Sequence, residues 1–312
     1  MERKVRIGTR GSKLALWQAN WVKERVEKQT PQIKGEIVKI KTMGDKILDV
    51  ALAQVGGKGL FVKEIEEALL DRRIDVAVHS MKDVPTKLAD SLHIAAITER
   101  EDPRDVMISN RWKHFQELPR EAKVGTSSLR RQAQLLRVRP DLKMTILRGN
   151  LDTRMKKLKE EGLDAIIVAA SGVIRLGAER QITQYLDFDL CLPATGQGTF
   201  ALECRKEDVE INGILKPLNA PNVSLAVRAE RAFLERLEGG CQVPIAAYGQ
   251  IENGVLLLNG LIASVDGKDL VRDKISGNPG DPEAIGQKLA ERLLNSGGEA
   301  ILKEIYGSLS QS

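Results

Sequence analysis

Two segments of the chain share one plan. Val5-Arg6-Ile7-Gly8-Thr9-Arg10-Gly11-Ser12 runs into Lys13-Leu14-Ala15-Leu16-Trp17-Gln18-Ala19, and Ala122-Lys123-Val124-Gly125-Thr126-Ser127-Ser128 runs into Leu129-Arg130-Arg131-Gln132-Ala133-Gln134-Leu135. Each predicts a short apolar strand, a Gly-Thr turn, a serine at a helix N-cap and an amphipathic helix. A strand that feeds a helix through small residues points backbone N–H groups at open space, which suits an anion. Both copies carry arginine beside those groups. The repeat continues: Arg73-Ile74-Asp75-Val76-Ala77-Val78 corresponds to Leu163-Asp164-Ala165-Ile166-Ile167-Val168. A duplicated α/β unit accounts for three corresponding elements in one order, and its continuous apolar strands fit a sheet covered on both faces by helices.

These units predict an α/β fold of two similar periplasmic-binding-protein-like lobes with a cleft between them. That fold name rests on analogy. The first lobe takes residues 1–99, with a returning strand at 199–205 that extends it over 199–217. The second takes 104–194. The run Glu99-Arg100-Glu101-Asp102-Pro103-Arg104-Asp105 reads as a hinge, because proline and packed charge rarely sit inside an element. From Pro221 a third unit begins. A helix near 223–237 stops at Gly239-Gly240, strands near 243–252, 255–265 and 268–275 are joined at Asn253-Gly254 and Asp266-Gly267, and Asp281-Pro282 opens a last helix to about 294. This gives a small α+β C-terminal domain, 221–307, on a three-stranded antiparallel sheet, followed by a flexible tail at 308–312.

The formal charge of +5 is uneven: residues 120–160 hold twelve Lys/Arg against four Asp/Glu. That stretch is either a solvated basic face or an anion-binding surface. Three Tyr, three Trp and five Phe are few for a base-stacking surface, so nucleic acid is not expected as a partner. Nor is a membrane, since no run approaches the length of a spanning helix. Cys191, Cys204 and Cys241 form no metal spacing, and an odd count fits a reducing, cytoplasmic setting. Three histidines, His79, His93 and His114, are too scattered for a zinc site, so no metal is expected.

Six arginines stand out: Arg10, Arg130, Arg131, Arg148, Arg154 and Arg175. Arg130 and Arg131 fall in the first turn of a helix, where a cation opposes the dipole unless an anion joins it. Either some of the six pair with local acids, or they present planar forks to carboxylate or phosphate. Lys82-Asp83 follows an apolar strand at its C-terminal end, where open α/β sheets place their sites. Asp83 either caps the turn before Pro85 or stabilises a transient cation. Gly56-Gly57-Lys58-Gly59 lacks the phosphate-loop ending and reads as a loose lid carrying Lys58. Cys241 on its Gly-Gly loop is either a reactive thiol or a buried one, whereas Cys191 and Cys204 read as core.

Together these strings resemble the porphobilinogen deaminase (hydroxymethylbilane synthase) family over nearly the whole chain. The residues that carry the resemblance are Ile7 to Ala15, Gly56-Gly57-Lys58-Gly59-Leu60-Phe61, His79-Ser80-Met81-Lys82-Asp83-Val84-Pro85 and Gly125 to Arg131. They continue with Arg148-Gly149-Asn150, Pro193-Ala194, Gly196-Gln197-Gly198 and Gly239-Gly240-Cys241-Gln242-Val243-Pro244. The resemblance implies a transferase of tetrapyrrole biosynthesis. It would deaminate four porphobilinogen molecules and join them head to tail on a dipyrromethane cofactor held to Cys241 by a thioether, then release the linear tetrapyrrole by hydrolysis. It implies Asp83 and Lys82 as catalytic residues together with Arg10, Arg148, Arg154 and Arg175. For the cofactor it implies Asp83, Lys82, Thr126, Ser128, Arg130, Arg131, Arg148, Arg154 and Gln197. For substrate carboxylates it implies Arg10, Ser12, Lys58, Arg148 and Arg175. It further implies a monomer. Gln54 stands where some members carry lysine, so position 54 is given no such role. A non-catalytic binder of the same two-lobed fold stays open as the alternative. It has less use for a cysteine on a Gly-Gly loop.

Overall fold

The computed structural model describes residues 3–46, 62–238 and 243–309. The lid with Lys58 and the loop with Cys241 lie outside the described residues. In chain order the elements are β1 (Arg3–Thr9), α1 (Lys13–Gln29), β2 (Ile33–Lys39), α2 (Met43–Lys46), α3 (Lys63–Leu70), β3 (Val76–Ser80), β4 (Leu92–Ile97), β5 (Asp105–Ile108), β6 (Lys123–Gly125), α4 (Leu129–Val138), β7 (Lys143–Thr145) and α5 (Leu151–Glu160). They continue with β8 (Ala165–Ala169), α6 (Ala170–Arg175), β9 (Gln184–Leu186), β10 (Phe200–Arg205), α7 (Val209–Leu215), α8 (Pro221–Arg236), β11 (Ile245–Glu252), β12 (Val255–Ala263), β13 (Leu270–Gly277), α9 (Pro282–Leu293) and α10 (Glu299–Leu309).

The first two sheets have the same plan. One runs β2-β1-β3-β10-β4, the other β7-β6-β8-β5-β9. In the first, β1 is parallel to β2 and β3, and β10 is antiparallel to β3 and β4. In the second, β6 is parallel to β7 and β8, and β5 pairs antiparallel with β8 and β9. The described residues form two compact units, the first from residues up to 46, 62–101 and 198–224, the second from 102–197 and 225 onward. In each sheet the fourth strand is therefore the one that enters just after the chain changes unit: β5 after residue 101, β10 after residue 197.

The first unit packs Val5, Ile7, Val22, Val78, Phe200 and Leu202 between sheet and α1, with the Trp21 ring edge-on to Phe200 at 5.6 Å. The third sheet, β11-β12-β13, belongs to the second unit. Period-two alternation explains why. On β12, Leu256, Leu258 and Ile262 face α8, α9 and α10, whereas Leu261 and Ala263 pack with Ala246, Leu192 and Ala133 of α4. The helix that bears Arg130 and Arg131 is thus backed by the third sheet. The Asp266-Gly267 hairpin closes on it as well. The Arg137 guanidinium donates to the Lys268 carbonyl at 2.6 Å, and the Gln132 amide donates to the Val265 carbonyl at 3.4 Å.

Three expectations change. The charged run at 99–105 does not stay outside regular structure, because Asp105 opens β5 and is fully buried. The strand expected over 143–148 ends at Thr145, so Arg148 sits in the connection to α5. The last helix does not end the fold: a kink at Ser296 and Gly297, the latter at φ 108°, joins α9 to α10, whose Ile301, Leu302 and Ile305 complete the core of the third sheet. Short elements β5, β9, α6 and α7 carried too little periodicity to be read.

Gly267 has φ 73°, and a Cβ there would meet the Ala133 carbonyl oxygen, whereas Gly254 at φ 76° faces open space. Gly267→Ala should therefore cost about 2–4 kcal/mol, from overpacking and left-handed strain together. Gly254→Ala should cost only about 1–2 kcal/mol, for the strain alone. Denaturant melts of both variants check the difference.

Candidate functional site

Because β1, β2 and β3 are parallel, their C-terminal ends share one edge of the first sheet, and two segments lie on that edge. After β1 come Arg10 and Ser12. The Ser12 hydroxyl caps α1 by accepting the Ala15 N–H at 3.2 Å, while the Thr9 hydroxyl donates to the Ala15 carbonyl at 3.1 Å. After β3 come Lys82 and Asp83 in a one-turn 3-10 segment, held when the Val84 N–H donates to the Met81 carbonyl at 3.1 Å. Gln18 of α1 fixes this junction through its amide, 3.0 Å from the Ser80 hydroxyl. Lys82 and Asp83 are half-buried. No hydrogen bond or ion pair reaches the Asp83 carboxylate among the described residues. The turn is closed by backbone instead, so the capping role has no bond to carry it.

The second unit repeats the arrangement with different chemistry. Thr126 and Ser128 follow β6, Arg148 follows β7, and Arg175 closes α6 after β8. Ser128 occupies the N-cap of α4, but its side chain makes no cap bond; its N–H donates to the Thr126 hydroxyl at 3.2 Å. Arg154, in the first turn of α5, donates from Nε to the Gly149 carbonyl at 2.9 Å, and Asn150 caps that helix through the Thr153 N–H at 3.0 Å. Arg10, Arg148, Arg154 and Arg175 are all half-buried and all have interactions within the protein.

Arg130 and Arg131 differ from the rest. Both are buried, and both hold Asp105: Arg130 Nη1 lies 2.7 Å from Oδ2 and Arg131 Nη2 lies 2.7 Å from Oδ1. Burial pushes the Asp105 carboxyl up, but the two guanidinium charges and their hydrogen bonds more than reverse this, leaving it far below the usual carboxylate range. Gln197 joins them, its amide donating to Asp105 Oδ1 at 2.9 Å and to the Pro103 carbonyl at 2.7 Å. The anion that relieves two cations in a helix's first turn is thus supplied by the chain itself. Arg130, Arg131 and Gln197 are brought together on Asp105, with Thr126 and Ser128 just before them at the start of α4, while Arg148 lies in the β7–α5 connection and Arg154 in the first turn of α5.

Two residues the sequence reading passed over are prominent here. Asp105 was hidden in a charged, proline-containing run, and the signal that could have found it is the apolar Val106-Met107-Ile108 directly after it. Glu230 is fully buried on α8 and accepts the Gly196 N–H at 2.6 Å and the Gly249 N–H at 2.8 Å. Its place in the apolar spacing Ala226, Ala229, Glu230, Phe233 is the signal for it. Burial pushes the Cys191 and Cys204 thiols up to about 12, so neither is a nucleophile near neutral pH.

Whether these residues suit an acidic pyrrole cofactor can be tested on two atoms. Arg131 Nε is buried without a hydrogen-bond partner among the described residues, a donor suited to a carboxylate. The Asp83 carboxylate is an acceptor suited to pyrrole N–H groups. Both fit. Among the described residues no group of His, Cys, Asp and Glu is placed to hold a metal ion, and no helix is long and apolar enough to cross a membrane.

Residues 5–213 match the family model described as porphobilinogen deaminase, dipyromethane cofactor binding domain, and residues 224–295 match porphobilinogen deaminase, C-terminal domain. The porphobilinogen deaminase of Citrifermentans bemidjiense is 60% identical over 304 residues, covering 97% of this chain and 95% of that protein. Its namesake in Pelobacter propionicus is 59% identical over 304 residues, covering 97% and 98%. Solved structures with a looser likeness include the methionine-binding protein MetQ, 12% identical with a TM-score of 0.46 over 80% of this chain and 99% of that one. A methionine-bound nutrient-binding protein from Burkholderia cenocepacia is 13% identical, with a TM-score of 0.44 over 70% and 93%.

Beneath the Lys82-Asp83 turn, in the first unit, lies a buried acidic cluster. His79 Nε2 and Glu203 Oε2 are 2.9 Å apart, and Oε1 of both Glu203 and Glu66 is buried without a partner among the described residues. Burial, then the Glu203 charge, push the Glu66 carboxyl above its ordinary value, with His79 opposing. A raised folded-state value stabilises the fold below the unfolded carboxylate range and loses that contribution as pH rises through the folded value. Glu66→Gln, an uncharged isostere, should therefore gain in melting temperature relative to the parent as pH goes from about 4 to about 8. Melting curves across that range check it; a flat difference would remove Glu66 from the cluster's ionisation.

Proposed function

The chain belongs to the porphobilinogen deaminase family, and from that premise we infer that it works as a hydroxymethylbilane synthase. In this reaction four porphobilinogen molecules each lose ammonia and are joined head to tail, and the linear tetrapyrrole is then released by hydrolysis. The observation that carries the reading is the match of both family domains across the chain, with every string that the resemblance rested on in place. A dipyrromethane on Cys241 supplies the pyrrole carbon to which the first unit is joined.

The chain's own residues divide the remaining work. Loss of ammonia from porphobilinogen leaves a delocalised, electrophilic cation. A fixed carboxylate stabilises that cation more than it stabilises the neutral substrate, and this difference accelerates the step. Asp83 is assigned this role, and with it the handling of protons at pyrrole nitrogen. Its half-buried carboxylate at the carboxyl edge of β3, without a partner among the described residues, supports the assignment. Lys82 adds a cation beside it for substrate or cofactor carboxylates. Arg10, Ser12, Arg148 and Arg175, with Lys58 of the lid, take the carboxylates of incoming substrate. Thr126, Ser128, Arg130, Arg131, Arg154 and Gln197 take those of the cofactor and early rings. Each ring brings two carboxylates, so orientation by guanidinium forks is what keeps the growing chain in line. The expected division into first lobe, second lobe and C-terminal domain is kept as part of the reading, with Cys241 in the third. The same reading makes the protein a cytoplasmic monomer acting on a small acidic substrate.

The covalent assignment rests on Cys241, supported by the burial and raised pKa of the other two thiols. Intact-protein mass spectrometry should show a single adduct of two pyrrole units that is missing from Cys241→Ser; active enzyme at the unmodified mass would remove the assignment. Asp83→Asn keeps shape and loses charge. It should fold, by circular dichroism, and consume porphobilinogen roughly 10²–10³-fold more slowly, the scale of a lost transition-state charge contact. Activity near the parent's would take Asp83 out of the chemistry.

A further inference from the structure

Adjacent residues on a helix point about 100° apart and do not face each other, so Arg130 and Arg131 would not ordinarily converge on one ligand group. In this structure they do converge, on Asp105. Arg130 uses Nη1 for Asp105 and for the Leu192 carbonyl at 2.5 Å. Arg131 uses Nη2 for Asp105 and Nη1 for the Ile167 carbonyl at 3.1 Å. Gln197 adds its amide to the same carboxylate. The Cys191 thiol, 3.3 Å from Oδ2, completes the shell, and Asp105 itself is 0% exposed. Of the Arg131 donors, Nε is the one left buried without a partner among the described residues.

We propose that Asp105 is a positioning residue for the dipyrromethane site: by gripping Arg130 and Arg131 together it reduces their joint charge from +2 to +1 and leaves the Arg131 Nε–H aimed as the donor for one cofactor carboxylate. This rests on the reading that Arg130 and Arg131 serve the cofactor. Asp105 touches neither cofactor nor substrate; it acts through the two arginines. Without its charge, two buried guanidinium groups repel each other, each re-aims toward other acceptors, and the single fixed donor is lost. Gln197 has a second task besides the cofactor role given to it: it ties Asp105 to the Pro103 carbonyl.

The test compares Asp105→Asn, Arg131→Leu and the double variant, each purified as the full chain. Circular dichroism selects folded protein. Intact mass and the colour given with an acid aldehyde reagent then report the fraction carrying the two-ring adduct, and KM and kcat are measured on the loaded fraction. Folded Asp105→Asn should carry the adduct in about a tenth or less of the chains, matching Arg131→Leu, and the double variant should be no worse than either single one. A purely structural role would lower the melting temperature, leave occupancy and KM of the folded fraction unchanged, and make the double variant worse than both. Full occupancy in folded Asp105→Asn overturns the proposal while leaving the arginine reading intact, provided Arg131→Leu is empty. Full occupancy in Arg131→Leu removes the arginine reading and the proposal with it. Should Asp105→Asn fail to fold, Asp105→Glu keeps the charge and moves the carboxylate by one methylene. Reduced occupancy in its folded form supports the proposal, and full occupancy overturns it.

Discussion

Much of the second unit depends on one carboxylate. Asp105 opens β5, is fully buried, and is held by two guanidinium groups from the first turn of α4, by the Gln197 amide and by the Cys191 thiol. Removing three charges from water costs several kcal/mol per ion, so such a cluster persists only when its bonds are nearly complete. Here they are: the carbonyls of Ile167 and Leu192 take further donors, and Gln134 accepts the Leu192 N–H at 2.7 Å. The arrangement ties the start of β5, the first turn of α4, the end of β8 and the segment 191–197 to one point. Because the Asp105 value is lowered, its contribution is present above the unfolded carboxylate range and disappears only as pH falls through the folded value, far below neutral. The cluster is a fixed frame at any pH where the protein works.

A second fully buried carboxylate extends this frame. Glu230 on α8 binds the N–H of Gly196 and of Gly249, so the turn that contains Gln197 is held on one side by Asp105 and on the other by the helix and sheet of the C-terminal part. Gly196 sits at φ 70°, a conformation that glycine adopts without strain. The chain crosses from the second unit to the first immediately afterwards, at 197/198. The crossing between the second lobe, expected to end at 194, and the strand expected from 199 is thus anchored by two buried acids on the second unit's side. That explains why the Pro193 to Gly198 string is rich in small residues although it lies in the interior.

The duplication was legible because it is written in local chemistry: an apolar strand, a Gly-Thr turn and an amphipathic helix, twice. The return of β10 to the first sheet was expected alongside it. The hairpins at Asn253-Gly254 and Asp266-Gly267 were legible for the same reason. What was not legible depended on partners distant in sequence. Asp105 reads as loop because an acid after Asp-Pro-Arg has no local reason to be buried; the reason lies in α4. α10 was not read as a helix of its own because Asn295-Ser296-Gly297-Gly298 is a stop signal, and only the third sheet, far back in sequence, makes Ile301, Leu302 and Ile305 core. Of the candidate site, the residue types were readable, but which arginines already had an acid was not.

That last point separates the two repeats more than their common topology joins them. In the first, the junction after β1 satisfies itself locally, with Ser12 capping α1 and Thr9 bonding back to Ala15, and the acid at the neighbouring edge, Asp83, keeps its carboxylate unengaged among the described residues. In the second, Ser128 leaves the cap of α4 unmade, Thr126 accepts from the Ser128 backbone, and the local acid is consumed by the arginines. One copy leaves an acid unengaged among the described residues and caps its helix; the other engages its acid and leaves the helix cap unmade. Stabilising a cation requires the former, and holding carboxylates requires the latter. The two copies of the strand-turn-helix unit thus differ in where the acid sits and in whether the serine caps. The fold that positions them stays the same.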